Sequence, residues 1–163
     1  MKQVFSDSNG IALAAQSIKD GQVVIFPTDT VYGIGCNPYD ENAVNRIYTI
    51  KKRDETKPLP ILGYSKHILE NIVKFDEISN KIVEKFWPGQ LTVVLPLKDS
   101  RLKKLSGIGD TLAVRIPNNK CTLALLKECK LIVGTSANIS GRKPLTNPQN
   151  LNDDIPILSL IHI

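Results

Sequence analysis

Four consecutive apolar residues, Val23-Val24-Ile25-Phe26, stand between the turn pair Asp20-Gly21 and Pro27. A run this short and this uniformly apolar fits a strand covered on both faces, since a strand with one wet face would alternate. The pattern returns at Leu131-Ile132-Val133, between a helical stretch over 122–129 and Gly134. Around these runs lie stretches with helical spacing. Residues 8–17 carry an apolar stripe of Ile11, Leu13 and Ala14 that Ile18 extends, and Asp40 is an N-cap signal ahead of Ala43, Val44, Ile47, Tyr48 and Ile50. Strands alternating with helices restrict the chain to an α/β or α+β domain, a sheet covered by helices.

The other elements follow the same logic. Residues 59–62 form a strand, which Pro60 pushes towards a sheet edge or a bulge because proline cannot donate to a ladder. Ser65 caps a short helix, and Asp76 opens another that Trp87-Pro88-Gly89 stops. A strand over 91–97, a polar basic loop over 98–110 and a strand over 111–117 come next. Arg115 lies inside that last strand among apolar residues, where a guanidinium is costly unless a carboxylate neighbour or a ligand anion meets it.

At 163 residues, 42% hydrophobic and 23% charged, the chain has the size and composition of one domain with its own core. No apolar run approaches membrane-spanning length, and the first residues lack the core of a secretory signal, so the expected compartment is the cytoplasm. Cys36, Cys121 and Cys129 show no Cys-x-x-Cys spacing and read as small buried hydrophobes. His67 has no second ligand at metal spacing and reads as a surface histidine.

Polar chemistry gathers in three places. Lys51, Lys52, Arg53 and Lys57 put four cations within seven residues where the second helix ends. A charge run is ordinarily a solvated surface, and cations at a helix C-terminus gain about 0.3–1 kcal/mol each from the helix dipole. On that reading, removing Lys51 or Arg53 leaves stability nearly unchanged. A Pro27-Thr28-Asp29-Thr30 turn upstream and a Thr135-Ser136-Ala137-Asn138-Ile139-Ser140-Gly141 loop downstream each follow a β-branched run. Small hydroxyl and amide residues on such loops, facing cations, are what a polyphosphate site needs. The net charge of +5 agrees with an anionic ligand or partner, a nucleotide or a nucleic acid, without choosing between them.

Five pieces occur in a fixed order: Phe26-Pro27-Thr28-Asp29-Thr30-Val31-Tyr32-Gly33; Lys51-x-Arg53 with Lys57-Pro58-Leu59; Trp87-Pro88-Gly89 before Leu91-Thr92; Thr111-x-Ala113-Val114-Arg115; and Ser136-Ala137-Asn138-x-Ser140-Gly141. Together they resemble the YrdC-like family of threonylcarbamoyl-AMP synthases, from Gly21 to about Pro148. The resemblance implies a twisted mixed sheet with helices packed around a cationic concave cavity. It implies formation of threonylcarbamoyl-AMP and pyrophosphate from L-threonine, bicarbonate and ATP with Mg²⁺, for a separate transferase complex that modifies tRNA. Carried over by position, Thr30, Arg115 and Gly134 contact threonine, while Arg53, Lys57, Thr111, Ser136 and Asn138 contact ATP. Lys51 lines the phosphate side and is catalytic together with Arg53. Cations and Mg²⁺ can stabilise charge moving onto departing pyrophosphate with no protein nucleophile. Leu62 departs from the pattern, standing where some members place a histidine.

The family continues past Gly141, so the resemblance leads to the expectation of a YrdC-like domain over 1–157, incomplete at its C-terminus. The last six residues, 158–163, read as translated sequencing-adapter sequence, and 146–163 is expected to supply no packed element. The alternative function from another class is a module that binds double-stranded RNA or tRNA through the same basic cavity. A third reading is the related carbamoyl-adenylate domain of hydrogenase maturation factors.

Overall fold

Each helix begins where a side chain can accept one of its free N–H groups. In the computed structural model, which describes residues 2–107, 109–143 and 160–162, Asp7 caps α1 (Ser8–Lys19) and Asp40 caps α2 (Glu41–Lys51). Ser65 caps α3 (Lys66–Leu69), Asp76 caps α4 (Glu77–Phe86) and Asn119 caps α5 (Lys120–Cys129). Every one of these side chains accepts from the backbone N–H three residues on. At α4 the exchange is reciprocal, because Ser79 Oγ accepts from the Asp76 N–H at 2.8 Å.

The strands are β1 (Lys2–Gln3), β2 (Val23–Phe26), β3 (Gly33–Gly35), β4 (Ile61–Gly63), β5 (Val93–Pro96), β6 (Thr111–Arg115), β7 (Leu131–Val133), β8 (Thr135–Ser136) and β9 (Leu160–His162). They form two mixed sheets, ordered β1-β9-β2-β3-β8 and β5-β6-β4-β7. In the first, β9 runs parallel to β1 and β2, while β3 is antiparallel to β2 and β8. In the second, β4 is parallel to β6 and antiparallel to β7, and β5 is antiparallel to β6.

Two apolar layers enclose these sheets. Val23 and Ile25 pack with Ile34, Ile47, Ile61 and Val114, whereas Val24 and Phe26 pack with α1, α5, Leu62 and Ile132. Alternate side chains of β2 therefore serve opposite cores, as a uniformly apolar run requires. Full burial of aliphatic side chains of this size stabilises by about 1.5–3 kcal/mol apiece.

The chain crosses from the second sheet to the first at one residue, Gly134, which separates β7 from β8. Its N–H donates to Pro60 O at 3.0 Å, and the Val133 N–H donates to Cys36 O at 2.9 Å, stitching the sheets together. Gly35 makes that approach possible, since a Cβ there would lie 1.9 Å from Val133 O.

Several expectations need correction. β4 is interior, paired on both sides, and Pro60 lies just ahead of it, so the missing N–H interrupts no ladder. The stretch 98–110 is not all loop: Ser100–Ser106 is a 3-10 helix that buries Leu102 and Leu105. Of residues 146–163, all but 160–162 lie outside the described residues. Leu160–His162 supplies an element after all, a strand seated between β1 and β2. No helix among the described residues is long and apolar enough to cross a membrane.

A glycine pair tests the stitched junction. A Cβ on Gly134 would meet the Leu62 side chain at 2.4 Å, so Gly134→Ala should cost about 1–3 kcal/mol from overpacking. Chemical denaturation of Gly134→Ala combined with Leu62→Ala should show a total smaller than the sum of the single losses by about 1 kcal/mol or more. Gly35→Ala should cost at least as much as Gly134→Ala and gain no such relief from truncating Leu62, because its obstacle is a backbone carbonyl.

Candidate functional site

β2 ends at Pro27, whose carbonyl accepts a hydrogen bond from Thr122 Oγ1 in the first turn of α5. The turn that follows is folded by Thr28, whose Oγ1 accepts from the N–H groups of Thr30 and Val31 at 3.1 and 3.2 Å and donates to Val31 O at 2.6 Å. The polar residues after the strand are thus fixed in place.

Arg115 occupies the C-terminal end of β6, in register with Leu62 on β4. Its Nε donates to Gly89 O at 2.8 Å, and its Nη2 forms an ion pair with Asp29 Oδ1. The two charged side chains are 13% and 12% exposed, so the pair is largely withdrawn from water. Gln90 Nε2 adds a hydrogen bond to Asp29 O at 3.2 Å. Two segments distant in sequence from Arg115 therefore converge on its guanidinium. Of the two partners the sequence allows for Arg115, the protein supplies the carboxylate.

Beside this pair is an open pocket lined by Thr30, Tyr32, Leu62, Arg115, Gly134 and Ser136, among others. The three residues assigned to threonine by resemblance, Thr30, Arg115 and Gly134, all reach it, and Ser136 from the nucleotide set joins them. Among the described residues, Arg115 is the one charged residue in its lining. Leu62 fills the wall against Gly134, which has room for no side chain of its own.

Lys51 is placed otherwise than expected. It is 2% exposed, and its ammonium donates to the carbonyls of Ser136 and Asn138, the latter at 2.8 Å. Its own carbonyl accepts from the Ser140 N–H at 2.8 Å. The residue clamps the 136–140 loop to the end of α2, so the expectation that its loss leaves stability unchanged is corrected: a buried cation held by two carbonyls is not a helix-end charge in water. Burial, reinforced by the neighbouring Arg53, lowers the Lys51 pKa to about 8. Within the clamped loop, Asn138 Nδ2 donates to Ile139 O at 3.0 Å and Arg142 O at 2.6 Å, and its buried Oδ1 has no hydrogen-bond partner among the described residues.

The remaining nucleotide candidates stand apart from the pocket. Arg53 Nη2 donates to Pro58 O at 3.1 Å, and the exposed Lys57 offers its carbonyl to Tyr48 Oη at 2.9 Å. Thr111 is exposed at the far end of β6, about 13 Å along the strand from Arg115 at its ordinary rise per residue. The sequence reading left Asp29, Gly89 and Gln90 out of the site. Only the need of Arg115 for a counter-charge pointed to the first, and nothing pointed to a backbone carbonyl at Gly89. Among the described residues no group of three or more His, Cys, Asp or Glu side chains could cage a metal ion.

Residues 16–160 match the family comprising Sua5, YciO and YrdC, described as "Telomere recombination". The threonylcarbamoyl-AMP synthase of Pyrococcus abyssi is 40% identical over 146 residues, 88% of this chain and 43% of the relative. That of Methylococcus capsulatus is 33% identical over 151 residues, 90% of this chain and 80% of the relative. The chain spans less than half the length of the P. abyssi relative and of a Bacillus subtilis one, 43% of each. The crystal structure of P. abyssi Sua5 complexed with L-threonine superposes with a TM-score of 0.89 at 36% identity, over 99% of this chain and 48% of that one. Escherichia coli YciO, at 23% identity and a TM-score of 0.85 over 96% of this chain and 78% of that one, shares the fold.

Lys51 gives a two-part test. Lys51→Met keeps the apolar stem but leaves two buried carbonyls unmet, and should cost about 2–4 kcal/mol in urea unfolding. Because the folded-state pKa of about 8 lies below the ordinary 10.5, the unfolded chain holds a proton the folded chain has released between these values, and stability from this group rises with pH across that window. The thiols act oppositely, since burial pushes Cys121 and Cys129 up to about 11. The stability difference between wild type and Lys51→Met isolates the lysine, and should widen by about 1 kcal/mol or more between pH 7.5 and 10. A difference that stays flat would contradict the buried, depressed-pKa reading.

Proposed function

The chain belongs to the Sua5/YciO/YrdC family, and on that footing we propose that it carries the amino-acid and nucleotide sites of a threonylcarbamoyl-AMP synthase. The observation that carries the reading is the pocket itself, where Thr30, Arg115, Gly134 and Ser136, drawn from three separate motifs, meet around one guanidinium. One arginine among hydroxyls and apolar walls suits a small hydroxylated carboxylic acid. A relative sharing this fold at 36% identity was crystallised with L-threonine.

In this reading Arg115 grips the threonine carboxylate, and Thr30 and Ser136 offer hydroxyls to its polar atoms. The threonine ammonium first releases a proton to solvent, and the free amine then adds to bicarbonate with loss of water, giving a carbamate. A carbamate oxygen then bonds to the α-phosphorus of ATP as the bond to pyrophosphate breaks. Arg53 and Lys57 supply cationic charge to the phosphates, Thr111 and Asn138 contact the nucleotide, and Lys51 holds the loop that bears Ser136 and Asn138. Mg²⁺ would arrive on the triphosphate, held mostly by phosphate oxygens and water, as is usual where a protein builds no cage for it. The product would serve threonylcarbamoylation of tRNA by a separate transferase, in the cytoplasm where ATP and tRNA meet.

The purified chain should release pyrophosphate from ATP only when threonine and bicarbonate are both present. Arg115→Lys keeps a positive charge for Asp29 but loses the planar fork. By calorimetry it should weaken threonine binding by about tenfold or more while leaving ATP affinity within about twofold, for the loss of one bidentate contact. The reverse outcome would mean that the amino-acid and nucleotide sites have been exchanged.

A further inference from the structure

Arg115 meets Asp29 before it meets any ligand. The carboxylate and Gly89 O take Nη2 and Nε, the two nitrogens along one side of the guanidinium. Of its five N–H groups, those along the other edge are taken by neither of these two partners, and Arg115 lines the pocket. The orientation of the fork is therefore set by the protein on one edge, while Gln90 fixes the backbone of Asp29 from behind. Asp29 itself is 12% exposed, and its Oδ2 is buried with no hydrogen-bond partner among the described residues. A buried carboxylate with an idle oxygen is an expensive way merely to fill space, because each lone pair removed from water without a donor costs free energy.

The charge balance is equally specific. With Arg115 the one charged residue in the lining, the neighbouring Asp29 brings the net charge of the pair to zero. A simple carboxylate entering the pocket would leave this weakly hydrated place with an excess negative charge, whereas a zwitterion brings its own cation. We propose that Asp29 is a positioning and specificity-determining residue: it aims Arg115 at the ligand carboxylate and, by cancelling its charge, makes the pocket select acids that also carry an ammonium group. The inference rests on the amino-acid reading of the pocket and adds to it the means by which an amino acid is told from a hydroxy acid.

The probes are L-threonine and 3-hydroxybutanoate, which keeps the carboxylate and hydroxyl but lacks the amine. Binding of each to the whole chain is measured by calorimetry at pH 7. Wild type should prefer threonine by about tenfold or more. Asp29→Asn, which is isosteric and still accepts from Nη2, should weaken threonine, strengthen 3-hydroxybutanoate and shrink their affinity ratio by about fivefold or more. Asp29→Glu retains the charge while displacing the fork, so both ligands should weaken with the ratio kept. A merely structural role would lower both affinities together in Asp29→Asn as well. If circular dichroism shows that variant unfolded, Asp29→Ser, which admits water to Arg115, carries the same expectation.

An unchanged ratio in the neutral variant would overturn the inference. A wild type that binds threonine and 3-hydroxybutanoate equally would overturn it too, while leaving the amino-acid pocket standing. A wild type that binds neither would remove the amino-acid reading and this inference with it.

Discussion

The hydrogen bond from the Val133 N–H to Cys36 O is where two sheets become one structure. β7 belongs to the second sheet and the chain just after β3 to the first, and they can approach this closely only because Gly35 has no side chain to hold them apart. One residue later, Gly134 moves the strand from one sheet to the other while its N–H is taken by Pro60 O. The notch left at this change of sheet is the pocket. Its position follows from backbone sterics, and the polar residues around it come from chain that must turn there. Irregular backbone with fixed polar groups on a rigid frame is where a site is most readily built.

Two cations are then drawn into the interior, and each is met in a different way. Lys51 is held by two carbonyl dipoles, which accept two of its three N–H groups without neutralising it, and burial lowers its pKa. Arg115 is met by a full counter-charge and one carbonyl, which fixes both its orientation and its local charge balance. The lysine thus serves the loop, and in the proposed site the arginine keeps an edge for a ligand. Ammonium and guanidinium are not interchangeable in these roles: the first is a compact point charge that can plug a cluster of carbonyls, the second a planar fork that can be held on one side and used on the other.

Much of the fold was legible because its signals are local. The caps at Asp40, Ser65 and Asp76 and the apolar run of β2 follow from residues within a few positions of one another, and all stand where the sequence places them. What escaped depends on distant contacts. Gly33–Gly35, glycine at two of its three positions, has weak strand propensity and is a strand because β2 and β8 pair with it on either side. Pro60 reads as an edge signal, yet it stands just outside a central strand. At the site, Thr30, Arg115, Gly134 and Ser136, which the sequence divides between an amino-acid set and a nucleotide set, line one pocket. The burial of Lys51 was invisible, because nothing in a run of cations says which of them turns inward to carbonyls 85 and 87 residues away.

β6 relates the two halves of the reading. Its residues alternate between a buried face and a more open one, with Thr111, Ala113 and Arg115 on the open side. Thr111 and Arg115 thus share a face but lie about 13 Å apart, further than one small amino acid extends. A ligand gripped by Arg115 cannot also reach Thr111 unless it is long or a second ligand lies along the strand. In the proposed synthase, joining an amino acid to a nucleotide would impose that geometry, with the carboxylate at one end, the nucleotide towards the other and the reacting atoms between them. The strand supplies the separation through its pleat and rise, while the clamp at Lys51 brings Ser136 and Asn138 in from the adjoining sheet.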